Sequence, residues 1–426
     1  MERLWHCQGM PSADHRPPPA RQGTIRETNL ALLYRLILDA PAPVSRAALA
    51  AATGMTRATA STLADALLAA GLAAAVAPPP AASAGRPAAG LVAARTGPAG
   101  LGLEVNVDYL AACVVDLSGT VRATATRHAD QRGREVGAVL AELADLAREV
   151  AVPGLTPVGT ALAVPGLVQD PVVAVPGAVP IPTIQRAPNL GWQDVEVTDE
   201  LRKLLPGTPL PLAIGNEADF AALAEAHAET APVLCASAGL VNEGPGNTGV
   251  AAAVDRSAQE GAATQTADFL YVSGEIGVGA GIVLGGEVFR GARGWAGEIG
   301  HVTVEPGGVL CRCGARGCLE TVAGLEALRR SGAAVAAAAL GRAIAAAVNL
   351  FDLPAVVLGG VYARPDLAAE LVPRVAAALA EHVVSAAWAP VTVRASRWGE
   401  AAAAVGAATA VVRQVHADPA AWVGIS

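Results

Sequence analysis

Hydrophobic positions along this chain follow a helical period near its start and an alternation of strand and helix signals beyond it. Leu32, Leu33, Leu36 and Ile37 recur at the spacing of one helix face, Thr24-Ile25-Arg26-Glu27 reads as a capping box opening that helix, and Pro41 and Pro43 close it. Ser45 then starts a short helix over Arg46 to Ala52, Thr53-Gly54-Met55 makes a tight turn, and Thr56 caps a second helix carrying the apolar stripe Leu63, Leu67 and Leu68. After a proline- and alanine-rich stretch the pattern changes. Residues 101–107 and 110–116 read as the strands of a hairpin, 136–150 as a helix, 157–164 as a buried strand and 211–214 as another. Residues 269–273 with 281–284 open a second sheet, and 355–358 run into Gly359-Gly360. The alternation predicts α/β architecture with two lobes and a cleft between them.

With 426 residues the chain exceeds the size at which one core stops growing, so more than one domain is expected, divided as a tail over 1–22, a first domain over 23–95 and a second over 96–426. The tail carries Pro17-Pro18-Pro19 and scattered charges with no apolar signal segment, which predicts disorder and a cytoplasmic protein. Alanine accounts for much of the apolar content. Runs such as Ala333 to Ala347, interrupted by Gly341 and Arg342, read as packed helices and not as membrane spans. Residues 229–266, rich in Gly, Ala, Ser, Asn and Gln, read as a long loop, either an inert insertion or a regulatory or oligomer-contacting element.

The net charge of −8 excludes a chain that coats nucleic acid along its whole surface, but the charge is unevenly spread. Residues 1–86 carry eight Arg against five acids, a local +3, which leaves −11 for the remainder. Any DNA-facing surface therefore belongs to the first domain, where helix, tight turn and helix form a helix-turn-helix pattern. The second helix presents Arg57, Thr59, Ser61 and Thr62 on its early turns, small and polar enough to enter a major groove. Arg57 is placed for a guanine or a phosphate, and Arg86 for a minor groove. Arg46, Thr56, Arg57, Thr59, Ser61 and Arg86 are the candidate DNA contacts. A three-helix packing module without nucleic acid is the alternative.

The densest chemistry lies later. His301, Cys311, Cys313 and Cys318 spell H-x9-C-x-C-x4-C, three thiols and an imidazole whose types and spacing match one closed, tetrahedral, structural Zn²⁺ site. A chance cluster or a pair of disulfides is the alternative, disfavoured by only six cysteines in the chain and no secretory context. Glu298 and Glu320 are tied to this turn and could offer acceptors to a polyol.

With Glu298-Ile299-Gly300-His301 as E-x-G-H and Cys311 to Glu320 as C-x-C-G-x-x-G-C-x-E, the chain resembles the ROK family of repressors, open reading frames and sugar kinases, from about Thr24 onward. The resemblance implies an actin-like, hexokinase-type fold. It further implies that His301 binds zinc with one nitrogen and a sugar hydroxyl with the other, and that Glu298 and Glu320 bind sugar hydroxyls. Residues 45–72 resemble the winged-helix domain of such repressors, and Gly85-Arg86-Pro87 the wing tip. Asn216-Glu217-Ala218-Asp219 stands where the family's kinases have N-D-A-N with Asp as catalytic base, and Pro188-Asn189-Leu190-Gly191-Trp192 resembles the loop P-N-L-x-G-W, one residue shorter. The implied sugar ligands are Asn189, Asn216, Glu217, Glu298, His301 and Glu320.

Against this the phosphate loops depart from the kinase pattern. Glu104-Val105-Asn106-Val107-Asp108 replaces D-x-G-G-T, losing both glycines and the threonine, and Glu275-Ile276-Gly277-Val278-Gly279-Ala280-Gly281 replaces G-T-G-x-G-x-G with a carboxylate and an isoleucine in front. Glycine lets backbone N–H groups approach phosphate, and a carboxylate beside phosphate oxygens repels them. The sequence thus predicts a sugar-responsive transcriptional regulator, a repressor and not an enzyme, with one structural Zn²⁺, operator DNA and a sugar as partners, a homodimer or homotetramer, and no membrane. A sugar kinase with an appended DNA-binding domain is the second reading, and a scaffold stabilised by its metal the third.

Overall fold

A computed structural model of the chain describes residues 22–77, 89–169, 182–207, 212–230 and 268–423. Its first helix, α1, spans Gln22–Leu38 and buries Leu30, Leu33, Tyr34 and Ile37, leaving Leu32 at the surface. The helix starts before the expected capping box, so Thr24 to Glu27 lie inside it. Strand β1 (Val44–Ser45) leads into α2 (Arg46–Thr53), capped by Ser45, whose Oγ accepts from the Ala48 N–H at 3.1 Å, and α3 (Arg57–Ala69) is capped by Thr56, whose hydroxyl accepts from the Thr59 N–H at 3.1 Å. Such a cap contributes about 1 kcal/mol. Strands β2 (Ala73–Val76) and β3 (Gly90–Ala93) complete a sheet of order β1-β3-β2, and Leu33, Tyr34, Leu49, Leu63, Leu67 and Leu91 fill the core between sheet and helices. The expected wing tip at Gly85, Arg86 and Pro87 lies outside the described residues.

Beyond it the chain builds one sheet pattern twice. In the first lobe β4 (Gly97–Val105), β5 (Tyr109–Asp116) and β6 (Val121–His128) run antiparallel, α4 (Val136–Glu149) crosses over, and β7 (Leu155–Val164) pairs parallel to β4. A small sheet of β8 (Leu167–Gln169), β9 (Thr183–Ala187) and β10 (Trp192–Val195), with α5 (Thr198–Leu204), precedes β11 (Leu212–Asn216), which pairs parallel to β7, and α6 (Glu217–Thr230). In the second lobe β12 (Phe269–Gly274), β13 (Val278–Leu284) and β14 (Glu287–Val288) are antiparallel. After α7 (Glu320–Ala323) and α8 (Leu325–Phe351), β15 (Ala355–Gly360), α9 (Pro365–His382) and β16 (Thr392–Ala395) follow, with β15 parallel to both β12 and β16. The chain ends on α10 (Ala402–Ala417) and α11 (Ala420–Val423). The orders β11-β7-β4-β5-β6 and β14-β13-β12-β15-β16 are each an antiparallel hairpin extended by parallel strands on the other side of its first strand, so the two-lobed α/β expectation holds.

Helix α10 joins the halves. It lies flat on β4 because Gly102 has no side chain: a Cβ there would come within 1.9 Å of the Ala404 carbonyl oxygen. The alanine-rich α8 is broken at Gly332, which takes φ 81° and ψ 166°, and Ala333 to Ala347 form helix through Gly341 and Arg342 as expected. By length and composition α8 could cross a membrane, yet Leu340, Ile344 and Val348 are buried in the second lobe's core with Leu371 and Val375 of α9. Of the loop expected over 229–266, α6 takes Glu229 and Thr230; the remainder lies outside the described residues.

Candidate metal centre and ligand cleft

The loop from β14 to α7 brings four metal-ligand side chains together. Glu298 precedes a short 3₁₀ turn, Ile299–His301, and the isolated bridges Thr303 to Cys318 and Leu310 to Arg316 fold the chain back so that Cys311, Cys313 and Cys318 meet His301. The Cys313 and Cys318 sulfurs are 3.7 Å apart, Cys311 Sγ is 3.8 Å from His301 Nδ1, and the four donor atoms all lie within 4.8 Å of one another. Sulfur bonds of about 2.3 Å to a tetrahedral ion imply donor separations of about 3.8 Å, so the cluster fits a metal ion.

His301 turns its other nitrogen toward the cleft, with Nε2 3.8 Å from Glu298 Oε2. Glu320 opens α7 with Oε1 3.8 Å from Cys311 Sγ, and its Oε2 would be 2.6 Å from a Cβ placed on Gly277 at the β12–β13 turn. The Asn189 Nδ2 atom would be 3.4 Å from the same Cβ, while Asn189 Oδ1 accepts from Arg312 Nη1 at 2.6 Å. Asn216 spends both ends of its amide on backbone: Nδ2 donates to the Gly166 carbonyl at 3.0 Å and Oδ1 accepts from the Ala218 N–H at 2.7 Å, which starts α6. Each end retains capacity for one more hydrogen bond. The next residue, Glu217, lies 3.5 Å from Asn106 Nδ2 and senses the charge of Glu298. Thus Asn189 and Glu320 flank Gly277, His301 and Glu298 adjoin Glu320 through the cluster, and Glu217 lies within electrostatic reach of Glu298 from the first lobe, with Asn216 next to it in the chain.

The two turns that would hold phosphate are filled. Between β4 and β5 the Asn106 N–H donates to the Tyr109 carbonyl and the Val107 N–H to Asn106 Oδ1, while Val105 and Val107 are buried in the first lobe's core. Glu104 is buried beneath, accepting from the Tyr109 hydroxyl at 2.7 Å and from the Ala404 N–H at 3.2 Å. In the β12–β13 turn the Glu275 N–H donates to the Gly277 carbonyl, and Ile276 packs on the first lobe's core. Burial, then repulsion among the acids, raises Glu104 to about 7, Glu217 to about 8 and Glu275 well above the usual carboxylate range. Among the described residues no cation pairs with any of the three.

In the N-terminal unit Arg57 is exposed at the start of α3, and Arg46, Arg57 and Ser61 line one cavity of about 440 Å³ with Ala47 and Ala89. Arg46 Nη2 is 2.5 Å from Asp65 Oδ1, which ties α2 to α3, and the Thr56 and Thr59 hydroxyls bond each other at 2.9 Å as part of the cap. Arg86 lies outside the described residues. Sequence reasoning missed Arg312 and Tyr109. Arg312 stands between two metal-ligand cysteines, where its position was visible and its partner in the other lobe was not.

A three-helix unit with a small sheet, joined to two like sheets beside a His/Cys cluster, defines the class: a winged-helix unit on a two-lobed, actin-like α/β body. The ROK family model matches residues 249–334 and 333–414 of the chain. It is 26% identical over 318 residues to the xylose repressor of Bacillus subtilis (strain 168), covering 73% of this chain and 70% of that protein. Among solved structures, a ROK family transcriptional regulator homologous to the E. coli MLC protein matches with a TM-score of 0.65 at 23% identity, over 94% of this chain and 99% of that one. A ROK family glucokinase from Streptomyces griseus, in complex with glucose and AMPPNP, matches with a TM-score of 0.56 at 21% identity, over 74% of this chain and 99% of that one.

Proposed function

We propose that this protein is a sugar-responsive transcriptional repressor, with residues 23–95 binding operator DNA and residues 96–426 sensing a sugar without phosphorylating it. The observation that carries the reading is the contrast within one cleft: the acceptors Glu298, His301 and Glu320 stand together beside the metal cluster, whereas both phosphate turns are closed by their own side chains. Similarity to the Bacillus subtilis xylose repressor supports the regulatory half and makes a pentose a first ligand to try. In this reading Zn²⁺ sits on His301, Cys311, Cys313 and Cys318 as a structural ion, and Asn189, Asn216, Glu217, Glu298, His301 and Glu320 hold the sugar. Arg57 and Ser61 face the DNA, with Arg46 bracing them, Thr56 and Thr59 capping their helix, and Arg86 in the wing. A carboxyl raised to about 8 is mostly protonated at pH 7 and serves Glu217 better as a hydroxyl partner than as a base.

Helix α10 is the route by which the cleft reaches the DNA-binding unit. Near its start the Ala404 N–H donates to Glu104, and near its end His416 meets the Tyr34 ring of α1 edge-on at 5.6 Å, with Nε2 2.9 Å from the Leu117 carbonyl oxygen. A cleft closing on sugar shifts α10, and with it the spacing of two winged helices in a symmetric oligomer, a dimer or a tetramer, on the DNA of the cytoplasm. A thermal-shift screen against D-xylose, D-glucose, their phosphates and ATP tests the reading. Stabilisation by a free sugar alone is expected; stabilisation by ATP would favour a kinase.

A further inference from the structure

We propose that Arg312 clasps Asn189 across the mouth of the cleft and fixes which end of the Asn189 amide faces the ligand; the assignment of a ligand rests on the sugar-sensing reading. Arg312 lies between Cys311 and Cys313, so its backbone is held by the metal loop of the second lobe, while Asn189 lies in the tight turn between β9 and β10 of the first. Their side chains meet through Arg312 Nη1 and Asn189 Oδ1 at 2.6 Å, and no described carboxylate lies within ion-pair reach of the guanidinium. A guanidinium has donors only, so it selects the oxygen end of the amide. The Asn189 NH₂ group is then turned toward Gly277, which Glu320 Oε2 also approaches. One donor and one carboxylate acceptor thus border the same glycine. A single hydroxyl resting against Gly277 between them would donate to Glu320 and accept from Asn189, a pairing that discriminates strongly against an analogue with that hydroxyl removed or inverted. Arg312 is in this sense a positioning residue, and the metal loop specifies ligand geometry through it.

The clasp also holds the turn itself. Leu190 and Gly191 both donate to the Ala187 carbonyl at 3.0 Å, and hydrogen exchange of these amides in full-length protein loaded with zinc reads its stability without any sugar. Arg312→Ala is expected to raise exchange of the 187–192 segment about tenfold, the scale of one charge-assisted hydrogen bond, with zinc content unchanged and Arg312→Lys restoring part of the protection. Unchanged exchange in Arg312→Ala would overturn the clasp. Titration with D-xylose, D-glucose and their deoxy and epimeric analogues then reads the amide. Asn189→Asp keeps an acceptor for Arg312 but removes the donor, so wild-type exchange with a loss of affinity of roughly tenfold or more supports the inward-facing NH₂, and undiminished affinity refutes it. Accelerated exchange in Arg312→Ala together with no sugar binding by the wild type would leave the clasp standing and remove the sugar-sensing reading.

Discussion

At the metal end of the cleft, Glu298 and Glu320 stand beside an imidazole and a thiol cluster; at the hairpin end, Glu104, Glu217 and Glu275 face one another with no described cation among them. The first arrangement offers neutral hydroxyls well-placed partners. The second offers a triphosphate little to hold it, since its turns are occupied by their own buried side chains where a kinase supplies free backbone N–H groups and a metal ion. In the proposed reading one cleft admits the sugar and excludes the phosphoryl donor, the property that would separate a sensor from an enzyme on a shared fold.

Removing the metal end should do the most damage. Metal analysis of the wild type is expected to give about one zinc per chain, and Cys313→Ala should lose both the ion and the sugar response; a variant that loses zinc yet keeps full sugar affinity would uncouple the two. Next in size are Glu298→Gln and Glu320→Gln, each expected to weaken sugar binding by roughly tenfold or more, the cost of a hydrogen bond to a charged group, while leaving sugar-free operator binding intact. Calorimetric titration and a mobility-shift assay on the same preparations read both. On the DNA side, Arg57→Ala should cost about 1–3 kcal/mol and relax specificity at one base pair if it reads a guanine, without altering sugar affinity.

The smallest effect comes from the hairpin end and concerns pH. Glu217 is raised from 4.5 to about 8 in the fold, so the folded state holds its proton between those values while the unfolded chain has released it. Stability is then full below about pH 4.5 and declines as pH rises through about 8. Glu104 and Glu275 titrate with it as a coupled set. Glu217→Gln should flatten the fall in melting temperature between pH 5 and pH 8 by a few degrees; an unchanged slope would show that Glu217 is not desolvated.

Legibility in the sequence followed distance along the chain. The His/Cys cluster was visible because all four ligands fall between His301 and Cys318, and the helix-turn-helix because Ser45 and Thr56 cap the two helices through bonds to residues three positions on. Both lobes were visible as alternating strands and helices. What could not be read was convergence: Glu104, Glu217 and Glu275 come from β4, α6 and the β12–β13 turn, and only the folded chain brings them within repulsive range. The Arg312 to Asn189 bond spans 123 positions for the same reason. Local propensity also misplaced one feature, for α1 begins at Gln22 ahead of its apparent capping box.

The central claim, sensing without phosphoryl transfer, is tested most directly by incubating full-length, zinc-loaded protein with a sugar that stabilises it, ATP and Mg²⁺, and measuring sugar phosphate by mass spectrometry. Because Val105, Val107 and Ile276 fill the phosphate turns and Glu275 is buried in one of them, the account predicts no product above the protein-free control. Sugar phosphate that forms with the wild type and vanishes with Glu217→Gln would contradict it and make the protein a kinase.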